Sequence, residues 1–317
     1  MGSRVAAILS AAILAAQPAL AAAECGMGPP VRHSDPGRTR IYASPSGVPS
    51  VYFHADVDVN TDGSSRSYHP ADPRGRSVAL NNIGNAISGI WDAAGRPIDC
   101  APRRGACFTR YIDTFVAARD SGWNPSGHPR VATDGMIPWK LDSALGRRVP
   151  CTIQTGPYRG FFVSQTSFIA DRSKPECDQS RYLDSLAFQA AVLPKRTAWA
   201  SQGERAGVDD LVVVHSPATG RTAYGIIGDT GPADGIGEAS VAMAAYLRDR
   251  AVAPDATYQE IKALALDGAQ YLLFPGEAVR DHIQGSLSQE RINREVEAVF
   301  TRWGGPARLA QCAALAH

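Results

Sequence analysis

The 317-residue sequence predicts a mixed-β fold, a compact β core or barrel decorated by helices. Three observations carry this. Strand-like segments, alternating or continuously apolar, recur between residues 51 and 229. Helical periodicity dominates only after residue 237. No regular alternation of strand and helix, the mark of a parallel α/β sheet, runs through the chain.

In chain order, residues 24–50 are rich in Pro, Gly, Ser and Arg and read as an irregular lead-in tethered by a disulfide. VYFHADVDV (51–59) alternates. Val51, Phe53, Ala55, Val57 and Val59 share one face, and Tyr52, His54, Asp56 and Asp58 the other, as in a half-buried strand showing its acids to solvent or a cleft. Residues 64–150 are loop-rich, with a short helix predicted at Ser77–Trp91. GFFVSQTSFIA (160–170), LAFQAAVLP (186–194), DDLVVVHSP (209–217) and TAYGIIGD (222–229) read as strands. The last two are apolar enough to be central, and the turn Pro217–Gly220 makes them a hairpin. GEASVAMAAYLRDR (237–250) is predicted as a helix opened by Glu238, apolar through Val241, Ala244, Ala245 and Leu247. SLSQERINREVEAVFTRWGG (286–305) is predicted as a second helix, with Ser286 and Gln289 as a capping pair. Its Ile292, Val296, Val299, Phe300 and Trp303 lie on one face, and Gly304-Gly305 ends it.

Residues 1–23 carry one early charge, Arg4, then an apolar core, Pro18 and a small-residue ending, the pattern of a cleavable export signal. The apolar core is too short to span a bilayer, and no later segment approaches ~20 apolar residues. The expected product is a secreted or periplasmic protein without a membrane anchor. Loss of Arg4 with the signal leaves 31 basic against 31 acidic residues, a balance that gives no electrostatic reason to expect nucleic acid as partner. Six cysteines in an exported chain, with no CxxC or Cys/His cluster at zinc spacing, favour disulfides over metal. Sequence proximity pairs Cys100 with Cys107 and Cys151 with Cys177, which leaves Cys25 to join Cys312. Residues 24–317 contain no repeat or obvious linker and read as a single catalytic domain with a loop-rich insertion at about 66–150. A monomer is expected.

The stretch GDTGPADGIGEAS (228–240) concentrates chemistry. Asp229 follows a buried-looking strand, Glu238 comes nine residues later, and the glycines between permit sharp turns and leave room for a ligand. Two carboxylates facing each other across a cleft are the minimum equipment for glycoside hydrolysis. The competing reading is a turn Asp and a helix-start Glu, both locally favourable. No Lys-Ser/Thr follows the glycines, so a phosphate loop fails, and no cofactor is expected. Asp58, Asn60, Asp62 and Gly63 open a calcium-loop pattern, but its twelfth position is His69, not Glu, and no metal site is expected. His33, His54, His69, His128, His215 and His282 are scattered and no GxSxG elbow exists, so a serine triad is not indicated. His215 reads as structural. Trp91, Trp123, Trp139 and Trp199 stand in or beside loops, where they either stack on sugars or fill loop-covered core.

YFHADVDVNTDG (52–63), YLDSLAFQAAVLP (182–194) and TAYGIIGDTGPADGIGEASVAMA (222–244), in this order, resemble glycoside hydrolase family 75, the chitosanases. The third segment is the specific one. The resemblance implies endo-hydrolysis of chitosan, the β-1,4-linked polymer of glucosamine, with inversion, and makes Asp229 and Glu238 the essential acids. It assigns Asp56, Asp58 and Asp62, with Tyr224 and Thr230, to substrate binding, the acids meeting the cationic amino groups. Asp234 matches no family acid. The region from about 66 to 180 is longer than the family core and carries Cys-bearing insertions. GDTG after a strand is also similar to the acidic motif of double-psi barrels, which implies a six-stranded double-psi-type β-barrel core decorated by helices and disulfide-bearing loops. Two rivals follow from such barrels: a peptidoglycan-cleaving lytic transglycosylase with a single acid, and a non-catalytic, expansin-like polysaccharide-binding protein. The working assignment is Glu238 as acid and Asp229 as base. Against it stands the dipole of the helix that Glu238 is predicted to open, which favours an ionised Glu.

Overall fold

The computed structural model describes residues 25–100, 104–133, 135–195, 197, 205–279 and 287–316. The segment 1–23 predicted as an export signal, Trp199, His282 and Ser286 lie outside these residues. In chain order the elements are β1 (Val31–Arg32), β2 (Arg40–Ala43), β3 (Val51–Asn60), β4 (Gly89–Trp91), α1 (Ala106–Asp120), β5 (Arg130–Ala132), β6 (Trp139–Asp142), β7 (Arg147–Pro150) and β8 (Ala190–Pro194). They continue with β9 (Asp210–Ser216), β10 (Arg221–Gly231), β11 (Glu238–Ser240), α2 (Val241–Leu247), α3 (Tyr258–Lys262), β12 (Leu266–Ala278), α4 (Gln289–Trp303) and α5 (Gly305–Cys312).

Six strands close a mixed barrel in the order β3-β11-β8-β10-β9-β12, with β12 returning to β3. β3 with β11 and β8 with β10 run parallel; the other four contacts are antiparallel. The β1–β2 hairpin extends β3 outside the barrel. Closure leaves the six barrel strands no long unpaired edge.

Alternate residues sort into two cores, as a period of two demands. Val51, Phe53 and Val57, Ala191 and Leu193, Val212 and Val214, Ala223 and Ile227, Ala239, and Tyr271 and Leu273 converge from all six strands, with Phe53 stacked on Tyr271. Tyr52, Ala190, Leu211, Val213, Ile226, Leu272 and Phe274 instead meet Ile292, Val296, Val299, Phe300 and Trp303 of α4. A 15-residue helix cannot enter a six-stranded barrel, so the second set is the outer face and the first fills the lumen. A third core, with Ile83, Ile90, Ile112, Phe115 and Phe162, belongs to the segment between β3 and β8.

Several local expectations change. Ser77–Trp91 is not a helix: it holds a 3₁₀ turn at Ile83–Asn85 and the strand β4. The helix of that region is α1, whose Tyr111, Ile112, Phe115 and Ala118 fill the third core. Residues 160–170 form no strand. Their buried hydroxyls bind loops instead, Ser164 accepting from the Gly63 N–H and Thr166 from the Leu183 N–H. The predicted helix 237–250 begins only at Val241, because Glu238–Ser240 pair with both β3 and β8; Ser240 is its cap. α4 is capped by Ser288, which accepts from the Arg291 N–H; the expected cap Ser286 lies outside the described residues. The strand β12 was not anticipated. The three disulfides are Cys25–Cys312, Cys100–Cys107 and Cys151–Cys177, as proximity indicates. Among the described residues no helix is long and apolar enough to cross a membrane.

Candidate active site

The register brings the two acids of GDTGPADGIGEAS together. Val192 of β8 pairs on one side with Asp229 of β10 and on the other with Glu238 of β11. Glu238 in turn pairs with Asp58 of β3. In-register neighbours point to the same face, so Asp58, Glu238, Val192 and Asp229 form one row across four strands. Two strand spacings put the Cα atoms of Glu238 and Asp229 about 9–10 Å apart.

A bulge decides which face Asp229 uses. Ile227 pairs with Ala191 and faces the lumen, and simple alternation would send Asp229 inward as well. The extra residue Gly228 shifts the register so that Asp229 pairs with the outward Val192. Only glycine fits there: a Cβ would lie 2.7 Å from Leu183 Cδ2 and 2.8 Å from Ala190 Cβ. Gly237 is equally constrained, at φ 92° with its Cβ position 2.2 Å from the Asp56 carbonyl. Its own carbonyl accepts from the Asp58 N–H at 2.8 Å, which fastens the loop to β3 just before Glu238.

The two acids have different surroundings. Asp229 is 7% exposed. Its Oδ1 accepts from the Ser167 N–H (2.9 Å), the Ser167 hydroxyl (2.7 Å) and the Thr230 N–H (2.8 Å). Burial pushes its pKa up, and these donors, with the charge of Lys195, oppose the shift. Glu238 receives one donor, Asn60 Nδ2 at 3.3 Å. The Asn60 amide is oriented by its Oδ1, which accepts from the Asp62 N–H at 2.6 Å. Burial raises the Glu238 carboxyl above its ordinary range, helped by the like charges of Asp58 and Asp229 and opposed by Asn60 and Lys262. Since Glu238 sits in a strand, the helix-dipole objection to its acting as an acid falls.

A third carboxyl, Asp62, joins them. It is 9% exposed and accepts from the Tyr68 hydroxyl at 2.7 Å. Burial, with Asp229 and Glu238 nearby, pushes it up to about 7. Asn81 Nδ2 donates to the Tyr68 oxygen at 3.2 Å. Asp58, Asp62, Glu238, Thr230, Asn60 and Lys262 line a cleft of about 390 Å³, whose far wall is made by Asn81, Asn85 and Met136 from the segment between β3 and β8. Asp62 and Asp229 also border a small adjoining space of about 20 Å³, which shares Asn60 and Asp62 with the cleft. A larger cleft of about 690 Å³, with Asp171, Lys174 and Tyr182 on its lining, includes none of Asp62, Asp229 and Glu238; the raised carboxyl on its lining is Asp184, pushed up by burial.

Of the sequence-predicted residues, Glu238, Asp58, Asp62 and Thr230 line the cleft, and Asp229 lines the small adjoining space instead. Asp56 does not line it: its Oδ1 accepts from the Gly268 N–H at 2.9 Å and ties β3 to β12. Tyr224 does not line it either. Its ring faces Phe300 on the outer face covered by α4, because β10 carries it five residues upstream of Asp229. Asp234 is exposed in the turn 232–235. His215 binds the Thr222 hydroxyl at 2.9 Å across the β9–β10 hairpin. Trp123 and Trp139 pack edge to face in the third core, away from the acids. Asp58 and Asn60 are locked in β3, so DVDVNTDG does not fold as a calcium loop. The residues that sequence reading missed are Asn60, Tyr68, Asn81, Ser167 and Lys262. All are common types whose one signal is spatial, apart from Asn60, which stands within the acidic stretch.

No family model matches this chain, and no curated protein matches it.

Proposed function

We propose that this protein is an exported, endo-acting glycoside hydrolase that cleaves chitosan by an inverting two-carboxylate mechanism. The observation that carries this reading is the row in which Asp229 and Glu238 flank Val192. A backbone separation of about 9–10 Å suits the 6.5–9.5 Å between carboxyl groups that leaves room for a water. The resemblance of GDTG and GEAS to the chitosanases supports the same pair. Three disulfides fit an oxidising compartment.

Glu238 takes the role of general acid. It has a single long donor and two like-charged neighbours, conditions that favour its neutral form. It protonates the glycosidic oxygen as the bond breaks. Asp229, whose three donors on one oxygen favour the carboxylate against the burial that raises its pKa, serves as base for the attacking water. The exposed Asp58 beside Glu238 offers a negative charge to a glucosaminium unit. Soluble chitosan, chitin and β-glucan oligomers incubated with the mature protein provide the test. New reducing ends from chitosan alone support the reading, and binding without new ends refutes it in favour of a non-catalytic protein.

One observation favours a second reading, lytic cleavage of peptidoglycan by a single acid: Asp229 is not part of the cleft lining. Anhydro-sugar ends from cell-wall sacculi, retained in Asp229→Asn, would establish it.

A further inference from the structure

Asp229 is placed as the base, yet it is not among the residues that line the cleft. Two hydroxyls connect its Oδ1 to the cleft. The Ser167 Oγ lies 2.7 Å from Asp229 Oδ1 and 2.9 Å from Thr230 Oγ1. A serine hydroxyl has one proton. Spent on the carboxylate, it leaves Ser167 Oγ an acceptor, so Thr230 must donate to Ser167. Thr230 Oγ then has lone pairs left for a donor in the cleft that Thr230 lines. The Ser167 N–H, on the same Oδ1 at 2.9 Å, fixes the serine over the carboxylate.

We propose that Thr230 and Ser167 form a proton relay joining the cleft water to the buried Asp229, so that Thr230 is a catalytic residue and Ser167 a positioning and relay residue. The inference rests on the hydrolase reading above. As the water oxygen bonds to the anomeric carbon, its O–H bond breaks and the proton passes to Thr230 Oγ. The Thr230 proton moves to Ser167 Oγ, and the Ser167 proton to Asp229. The glycosidic C–O bond breaks with its electron pair leaving on the oxygen, which takes the Glu238 proton. The net transfer is one proton from water to Asp229 and one from Glu238 to the leaving group. Thr230 serves the water in this account, where the sequence resemblance had placed it against the substrate.

Thr230→Val keeps the shape and the backbone N–H that binds Asp229 but removes the relay hydroxyl. On soluble chitosan oligomers, Thr230→Val should lower kcat by about 10²-fold, the lower end of general-base effects, with KM within about twofold. Thr230→Ser should retain most activity. Azide, a nucleophile that needs no deprotonation, should restore turnover to Thr230→Val and yield a glycosyl azide. Ser167→Ala should show the same loss and the same rescue. Thr230→Val turning over at the wild-type rate would overturn the relay, and so would a loss that azide leaves unrepaired. Wild-type protein inert on every oligomer would instead refute the hydrolase reading, which keeps the two failures distinct.

Discussion

Asp62 is buried among like charges, with Tyr68 as its hydroxyl donor and Asp229 and Glu238 nearby, and burial is the largest cause of its rise to about 7. A carboxyl whose pKa is raised by folding contributes stability that is fully present below its unfolded value near 4 and lost as pH rises through about 7. Asp62→Asn removes that titration. Urea unfolding from pH 4 to pH 8 should show the wild type losing on the order of a few kcal/mol relative to the variant. A constant difference between the two would remove the assignment of a raised pKa to Asp62. At the same scale, Glu238→Gln and Asp229→Asn should each lower kcat on chitosan by about 10²–10⁴-fold with little change in KM, measured as reducing ends. The acids were legible in the sequence because charge in a glycine-rich run is conspicuous. Ser167 and Tyr68 were not, since an uncharged residue outside the acidic stretches has no local signal until the fold sets it against a carboxylate. Tyr224 was misplaced by its nearness in sequence to Asp229, which a strand converts into distance.

The β10 bulge is the element on which the site depends. Gly228→Ala must displace Leu183 or Ala190, and should destabilise the protein by about 1–3 kcal/mol as an overpacked site does. If β10 slips back into register, Asp229 turns toward the lumen, so activity should fall further than stability; equilibrium unfolding and kcat measured together separate the two. An alanine accommodated without loss of either would show that the bulge does not set the site. Strands β3, β9 and β10 were legible from alternation or from a continuous apolar run. β12 was not: LDGAQYLLFPGEA is buried on both faces over its middle and interrupted by Gly268, Pro275 and Gly276, so neither period emerges. β11 was read as helix because Glu and Ala are good helix formers. Pairing with Asp58–Asn60 on one side and Ala191–Val192 on the other overrides that propensity, and Ser240 starts the helix three residues late.

Over the whole molecule, the barrel carries the acids on its outer wall while the segment between β3 and β8 supplies the opposite wall of the cleft through Asn81, Asn85 and Met136. That segment read as a loop-rich insertion because its core is separate and small. The Cys25–Cys312 bridge fastens the lead-in to α5, and the paired serine variant should lose about 2–5 kcal/mol of stability by denaturant titration. Charge acts at the same scale. A net balance near zero gives no general attraction for a polycation, so capture of chitosan falls to the acids at the cleft, and kcat/KM should drop steeply between low salt and about 0.15 M, where screening sets in over ~8 Å. The central claim is that Asp229 and Glu238 act across one sugar bond from opposite sides. Proton NMR of the first products from β-linked glucosamine oligomers tests it most directly. The α-anomer appearing first, with product from Glu238→Gln slowed by about 10²–10⁴-fold, is the predicted result; β-anomers or anhydro ends appearing first would contradict it.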